Sequence, residues 1–190
     1  ASYNIAKAAF ELAMKRQKKT VTAIHKATVM RLSDGLFLDT VRDVAKTYPQ
    51  IAYDEMLVDA AAALLVRDPG RFDVLVTTNM FGDILSDLAS ELSGGLGLAG
   101  SLNAGHGHIM AQAQHGSAPD IAGQDKANPT SLILSLAMLL EQWEETKAAA
   151  WINGALATLL ANAKTRTTDL GGMLTCSAFA ALLCQHISGD

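Results

Sequence analysis

Phe72-Asp73-Val74-Leu75-Val76-Thr77 is an almost unbroken run of apolar and β-branched residues, and Thr78-Asn79-Met80-Phe81-Gly82-Asp83-Ile84-Leu85-Ser86-Asp87 follows with helical periodicity. A continuous apolar run of that length reads as a strand covered on both faces. A strand passing straight into a helix belongs to a layered α/β arrangement. The preceding residues repeat the alternation. Residues 5–18 are periodic and close on the cations Arg16, Lys18 and Lys19, which suit a helix C-terminus; residues 20–25 (TVTAIH) read as a strand. Ser33-Asp34-Gly35 opens a second helix to about residue 48, stopped by Pro49, and residues 55–67 read as a third, ended by Asp68-Pro69-Gly70. The helix after the buried strand spans residues 79–93. Composition then changes abruptly to Gly94-Gly95-Leu96-Gly97-Leu98-Ala99-Gly100, followed by a polar loop over residues 112–128. A helix opening at Pro129, where proline suits the first turn, and two more near residues 144–163 and 173–187 complete the chain. The expected organisation is therefore an α/β part over residues 1–93 and a more helical part over 94–190, joined at the glycine run.

The helix at 79–93 carries the first chemical signal. Asp83 and Asp87 lie four residues apart, which stacks both carboxylates on one face. Unpaired, they would repel by a few tenths of a kcal/mol, so a cation between them is expected, and a divalent metal suits oxygen donors. The chain's 190 residues and 49% hydrophobic content permit a real core. A formal net charge of −4, with the basic residues scattered, excludes a nucleic-acid footprint. Cys176 and Cys184 are eight residues apart on one predicted helix, too far for a mutual disulfide and too few for a metal cage, which fits a reducing compartment. Neither a secretory signal nor a membrane span is visible.

Gly95, Gly97 and Gly100 satisfy G-x-G-x-x-G, but that fingerprint needs a strand before it and a helix after it; here a helix precedes, and a flexible connector is the better reading. The loop at 115–129 (HGSAPDIAGQDKANP) is the stronger nucleotide candidate. Its small residues let backbone approach a ligand, His115 and Ser117 offer hydrogen bonds, and Asn128 has the donor and acceptor to read an adenine edge. Asp120 can accept from both ribose hydroxyls and would repel a 2′-phosphate, favouring NAD over NADP. An ordinary surface loop rich in turn formers explains the same composition about as well.

Taken in order, His25-Lys26-Ala27-Thr28, Val58-Asp59, residues 79–87 and residues 115–129 strongly resemble the metal-dependent β-decarboxylating dehydrogenases, the isocitrate and 3-isopropylmalate dehydrogenases. The resemblance implies a two-domain α/β fold of the family's own type, not a standard Rossmann fold, with its N-terminal portion absent here. Residues 1–93 would be part of the second, smaller domain, which carries the metal site and dimerisation surface; residues 94–190 would be the C-terminal part of the large cofactor domain. It further implies NAD-dependent oxidation at C2 of a 2-hydroxy acid with a C3 carboxylate, followed by metal-assisted loss of carbon dioxide. Position by position, Asp83 and Asp87 resemble metal ligands for Mg2+ or Mn2+ from one subunit, and Asp59 the third, from the partner subunit. Lys26 resembles the lysine at the reacting hydroxyl, also donated across the dimer. His115, Gly116, Ser117, Ala118, Asp120, Ile121 and Asn128 match the cofactor loop, and Asp169 a C-terminal segment near the cofactor. A homodimer with shared active sites follows, in the cytoplasm or, for a eukaryotic source, the mitochondrial matrix.

The chain departs from the family pattern in two ways. Thr28 stands where the family usually has Asn, leaving one donor where the amide offers two. The arginines and serine that grip the substrate carboxylates, and the tyrosine proton donor, are missing, so the chain is expected to be a truncated form that is incomplete for activity alone. His25-Lys26 followed by Met30-Arg31-Leu32-Ser33-Asp34-Gly35 favours isocitrate, with 3-isopropylmalate as the alternative. A regulatory or scaffolding subunit without catalysis is the alternative of another class. His106, His108 and His186 are assigned no role, and Met30, Met56, Met110, Met138, Trp143 and Trp151 read as packing.

Overall fold

The computed structural model describes residues 1–188 and divides into two compact units, Ala1–Leu92 and the residues from Ser93 onward. The first is a three-layer α/β sandwich. Its parallel sheet has strand order β2-β1-β3, formed by β1 (Thr20–His25), β2 (Ala52–Leu57) and β3 (Val74–Thr77). Central β1 is buried over its four middle residues, as a strand with layers on both sides should be. Val21 and Ala23 with Val74 and Val76 pack against α1 (Ser2–Met14) and α2 (Ser33–Ala45), around Phe10, Phe37 and Val41. Ile24 faces the other layer, where α3 (Val58–Arg67) and α4 (Asn79–Leu92) supply Ala61, Leu65 and Leu85. Phe10 is fully buried and stacks on Tyr48 with ring centroids 5.3 Å apart.

The second unit begins with an antiparallel hairpin, β4 (Gly100–Ala104) and β5 (Ile109–Ala113), laid on α5 (Thr130–Gln142). Two fully buried serines of α5 stitch it down. Ser131 Oγ donates to the Ala99 carbonyl (2.5 Å) and accepts from the Gln114 N–H (3.0 Å), while Ser135 Oγ donates to the Gln112 carbonyl (2.6 Å) and accepts from the Ser101 N–H (2.9 Å). Gly100 permits the approach: a Cβ there would stand 2.8 Å from Met138 sulfur and 3.1 Å from the Ser135 nitrogen. A separate core joins Leu156 and Leu159 of α6 (Thr146–Ala161) to Phe179 and Leu183 of α7 (Cys176–Ser188). No helix among the described residues is long and apolar enough to cross a membrane.

Two readings of the sequence are corrected. Residues 55–57 are not the start of a helix but the end of β2, which runs into α3 with no connecting residue. Among the described residues β2 pairs with β1 alone and so lies at the edge of the three-stranded sheet, where charged residues such as Asp54 and Glu55 belong but erase the apolar signature. The stretch between the glycine run and the loop is not featureless either: it is the β4–β5 hairpin, so a strand, not a polar loop, follows Gly95-Leu96-Gly97. The absence of a helix there still removes the dinucleotide fingerprint. Smaller shifts move the first helix to end at Met14 and α5 to open at Thr130, with Pro129 as its cap residue.

Candidate active site

The sheet strands are parallel, so their C-terminal ends share one edge, the edge at which open α/β sheets present ligand-binding groups. Lys26 follows β1 directly, Asp59 is the second residue of the helix after β2, and α4 opens two residues past β3. Lys26 Nζ donates to Asp59 Oδ1 at 2.5 Å, with side-chain exposures of 29% and 66%, so the pair is accessible to a ligand. The Asp59 carboxyl is held below the usual carboxylate range, chiefly by the Lys26 ammonium, then by its own backbone N–H in the first turn of α3.

Sequence reading missed the residue that holds the Lys26 backbone. Asp34 is 1% exposed, and its Oδ2 accepts the Lys26 backbone N–H at 2.7 Å. A carboxylate two residues into a predicted helix was the available signal, but it reads equally as an ordinary first-turn acid. Thr28 is exposed on the turn that the Lys26 carbonyl closes with the N–H groups of Val29 (2.9 Å) and Met30 (2.8 Å).

Asp83 and Asp87 are both exposed on α4, one helical turn apart on one face. Asp83 borders a groove of about 630 Å³ formed by α1, β3 and the start of α4, where the buried Thr77 hydroxyl has no hydrogen-bond partner. Among the described residues no three His, Cys, Asp or Glu side chains of one chain come together to hold a metal. Asp59, paired with Lys26, does not converge with Asp83 and Asp87 within the chain. Two carboxylates on one helical face are hard oxygen donors that fit Mg2+ or Mn2+ as part of a coordination shell completed from elsewhere.

In the second unit, a cavity of about 600 Å³ is lined by His115, Gly116, Ser117, Ala118, Ile121 and Asn128, with Gly97, Asp125, Asp169 and Cys176. Ala118 adopts a left-handed backbone (φ 42°) and leads into the single 3-10 turn Pro119–Ile121. Asn128 Nδ2 donates to Asp169 Oδ2 at 2.9 Å while its Oδ1 accepts the Thr130 N–H at 3.0 Å, joining the end of the loop to both α5 and the turn at Asp169. Gly97 lies against that pair: a Cβ there would stand 3.2 Å from each of those two polar atoms. Asp120 is the exception, exposed on the turn and not part of the cavity wall.

The sequence profile described as isocitrate/isopropylmalate dehydrogenase matches residues 1–183. The chain is 48% identical over 187 residues to "Probable isocitrate dehydrogenase [NAD] subunit alpha, mitochondrial" of Caenorhabditis elegans, covering 98% of this chain and 52% of that one. It is 50% identical over 180 residues to the 3-isopropylmalate dehydrogenase of Archaeoglobus fulgidus, covering 95% and 55%. The crystal structure of isocitrate dehydrogenase from Methylococcus capsulatus superposes with a TM-score of 0.92 at 43% identity, covering 98% of this chain and 56% of that one. The chain thus spans about half the length of the relatives it matches. With the profile match running through both units, this chain belongs to the isocitrate/isopropylmalate dehydrogenase family.

Proposed function

We propose that the polypeptide to which this chain corresponds oxidises isocitrate at C2, passing hydride to NAD, and then releases carbon dioxide to leave a 2-oxo acid. The Lys26–Asp59 pair carries this reading, because it sets an accessible ammonium at the sheet edge from which α4 carries two further carboxylates. In a homodimer with shared sites, Asp83 and Asp87 of one chain and Asp59 of the other would hold Mg2+ or Mn2+. A bound dication supplies Lewis acidity toward the substrate's oxygens. Lys26 exchanges a proton with the C2 hydroxyl, held by Asp34 through its backbone and by Asp59 through its ammonium. Thr28 offers its hydroxyl to the substrate. His115, Gly116, Ser117, Ala118, Ile121 and Asn128 bind NAD, with Asp169 bracing Asn128; the exposed carboxylate of Asp120 accepts from the ribose hydroxyls. For a eukaryotic source the compartment is the mitochondrion, the location in the name of the Caenorhabditis elegans relative.

The 50% identity to the archaeal enzyme favours 3-isopropylmalate as the second reading. Turnover of the two acids by the full-length polypeptide decides between them. Thermal unfolding with Mn2+ and NAD tests the site itself. At a hundredfold excess over its dissociation constant, Mn2+ should add about 2.7 kcal/mol and raise the Tm by roughly 5–10 °C. Asp83→Asn should abolish that rise while leaving the NAD response. No response to either ligand would sink the catalytic reading and favour a scaffolding subunit.

A further inference from the structure

Resting on the NAD reading above, we propose that Asp125 is a positioning residue for the dinucleotide: its carboxylate latches the 115–128 loop to the first turn of α7 and so holds the loop's small-residue backbone in ligand-accepting shape. Among the described residues, the hydrogen bonds of residues 116–124 close on the loop itself, as in Ile121 N–H to the Ala118 carbonyl (3.1 Å) and Gln124 Nε2 to the Asp120 carbonyl (2.7 Å). At Asp125 the pattern changes. Its carbonyl accepts the Cys176 N–H (2.8 Å), its Oδ1 the Ser177 N–H (2.9 Å), and its Oδ2 the Ser177 hydroxyl (2.5 Å), 52 positions away in sequence for Ser177.

Those bonds satisfy two amides that a helix N-terminus leaves without intrahelical partners, and Thr175 Oγ1 accepts a third, from Ala178 (3.2 Å). The latch serves the helix and the loop at once. Asp125 sits in left-handed backbone at φ 55°, a conformation that aspartate tolerates better than most residues. Its carboxyl is held below the ordinary range by the Ser177 hydroxyl first, then by the Ser177 N–H and the Thr175 hydroxyl. Asp125 and Cys176 both line the cavity, so the latch is part of its wall.

Three substitutions separate the contributions. Asp125→Gly keeps the left-handed backbone and the carbonyl but removes both side-chain acceptors; Asp125→Asn keeps the backbone preference and one acceptor; Ser177→Ala removes the hydroxyl donor alone. Titrating NAD into the full chain by calorimetry, Asp125→Gly should weaken binding about tenfold or more and Ser177→Ala roughly threefold, with Asp125→Asn within about twofold of wild type. Amide exchange over residues 116–124 should quicken in the same order while exchange in the α1–α2 layer stays unchanged. Wild-type NAD affinity in Asp125→Gly, or in Ser177→Ala should the glycine variant fail to fold, overturns the positioning role while leaving the NAD reading intact. A wild-type chain that takes up no NAD, yet shows faster loop exchange in Asp125→Gly, overturns the dinucleotide reading and the positioning role with it.

Discussion

The chain positions its two sets of candidate groups by different physical means. In the first unit, Lys26, Asp59, Asp83 and Asp87 stand at strand ends or on helices whose apolar faces are buried, so their positions follow from packing. In the second, the cavity wall is mostly irregular backbone, shaped by a 3-10 turn, left-handed residues and side-chain hydrogen bonds reaching from α5, α7 and the Asp169 turn. Charges that must meet a small hard ion gain from stiff supports. A surface that accepts a long flat ligand is built from small residues whose backbone comes close, and it must then be fastened from outside.

The contrast predicts unequal responses to small changes. Gly172→Ala should have the largest effect: an added Cβ would overlap the Arg166 carbonyl, which cannot move aside because it also accepts the Leu174 N–H (3.0 Å). Loss of about 3 kcal/mol or more is expected, measured by urea denaturation, together with weakened NAD binding through displacement of Asp169. A near-neutral result would show that the irregular unit absorbs change better than its fastenings suggest. Next, Glu55 in the first unit accepts two bonds from Arg42, both 2.7 Å, and one from the Tyr53 hydroxyl at 2.8 Å.

Arg42 holds the Glu55 carboxyl below its ordinary value of 4.5, against the opposing effect of burial. A depressed carboxylate contributes stability that is present above the unfolded value and lost as pH falls through the folded one. Urea midpoints should therefore drop below about pH 4.5 in wild type, and Glu55→Gln should flatten that fall, costing about 1 kcal/mol at neutral pH for a partly exposed pair. An unchanged acid limb would assign the first unit's pH sensitivity to other carboxylates. The smallest effect has the opposite sign. Gly35 lies in the first turn of α2 with nothing within 4 Å of an added Cβ. Gly35→Ala should stabilise by about 0.5 kcal/mol, read as a higher urea midpoint; a loss would show that the N-terminal turn holding Asp34 needs glycine's freedom.

How much was legible in the sequence follows the same division. β1 and α4 are visible because apolar period and burial agree, and His25-Lys26 stands at a strand end because the strand itself can be read. β2 is hidden by its place at the sheet edge: Tyr53-Asp54-Glu55 is charged there, and the helical run after it draws the helix boundary forward. The hairpin is hidden because Gly100, Ser101 and Asn103 carry little strand propensity; what makes them a strand is the pair of α5 serines thirty residues later, a tertiary cause. Asp34 and Asp125 are hidden for a related reason, since each acts on backbone N–H groups that no local pattern discloses. The 115–128 loop was legible as a candidate binding segment by composition, but the place of Asp120 outside the cavity wall depends on the course of a single turn.

The seamless passage from β2 to α3 makes the length of that joint as important as the residues beside it. An α-helix advances about 100° per residue, so one residue added between Leu57 and Val58 would swing Asp59 away from Lys26 and turn Ala61 and Leu65 out of the interior together. Substitution at the joint perturbs a contact, whereas insertion rotates an entire face, and the fold has no slack there to take up the error.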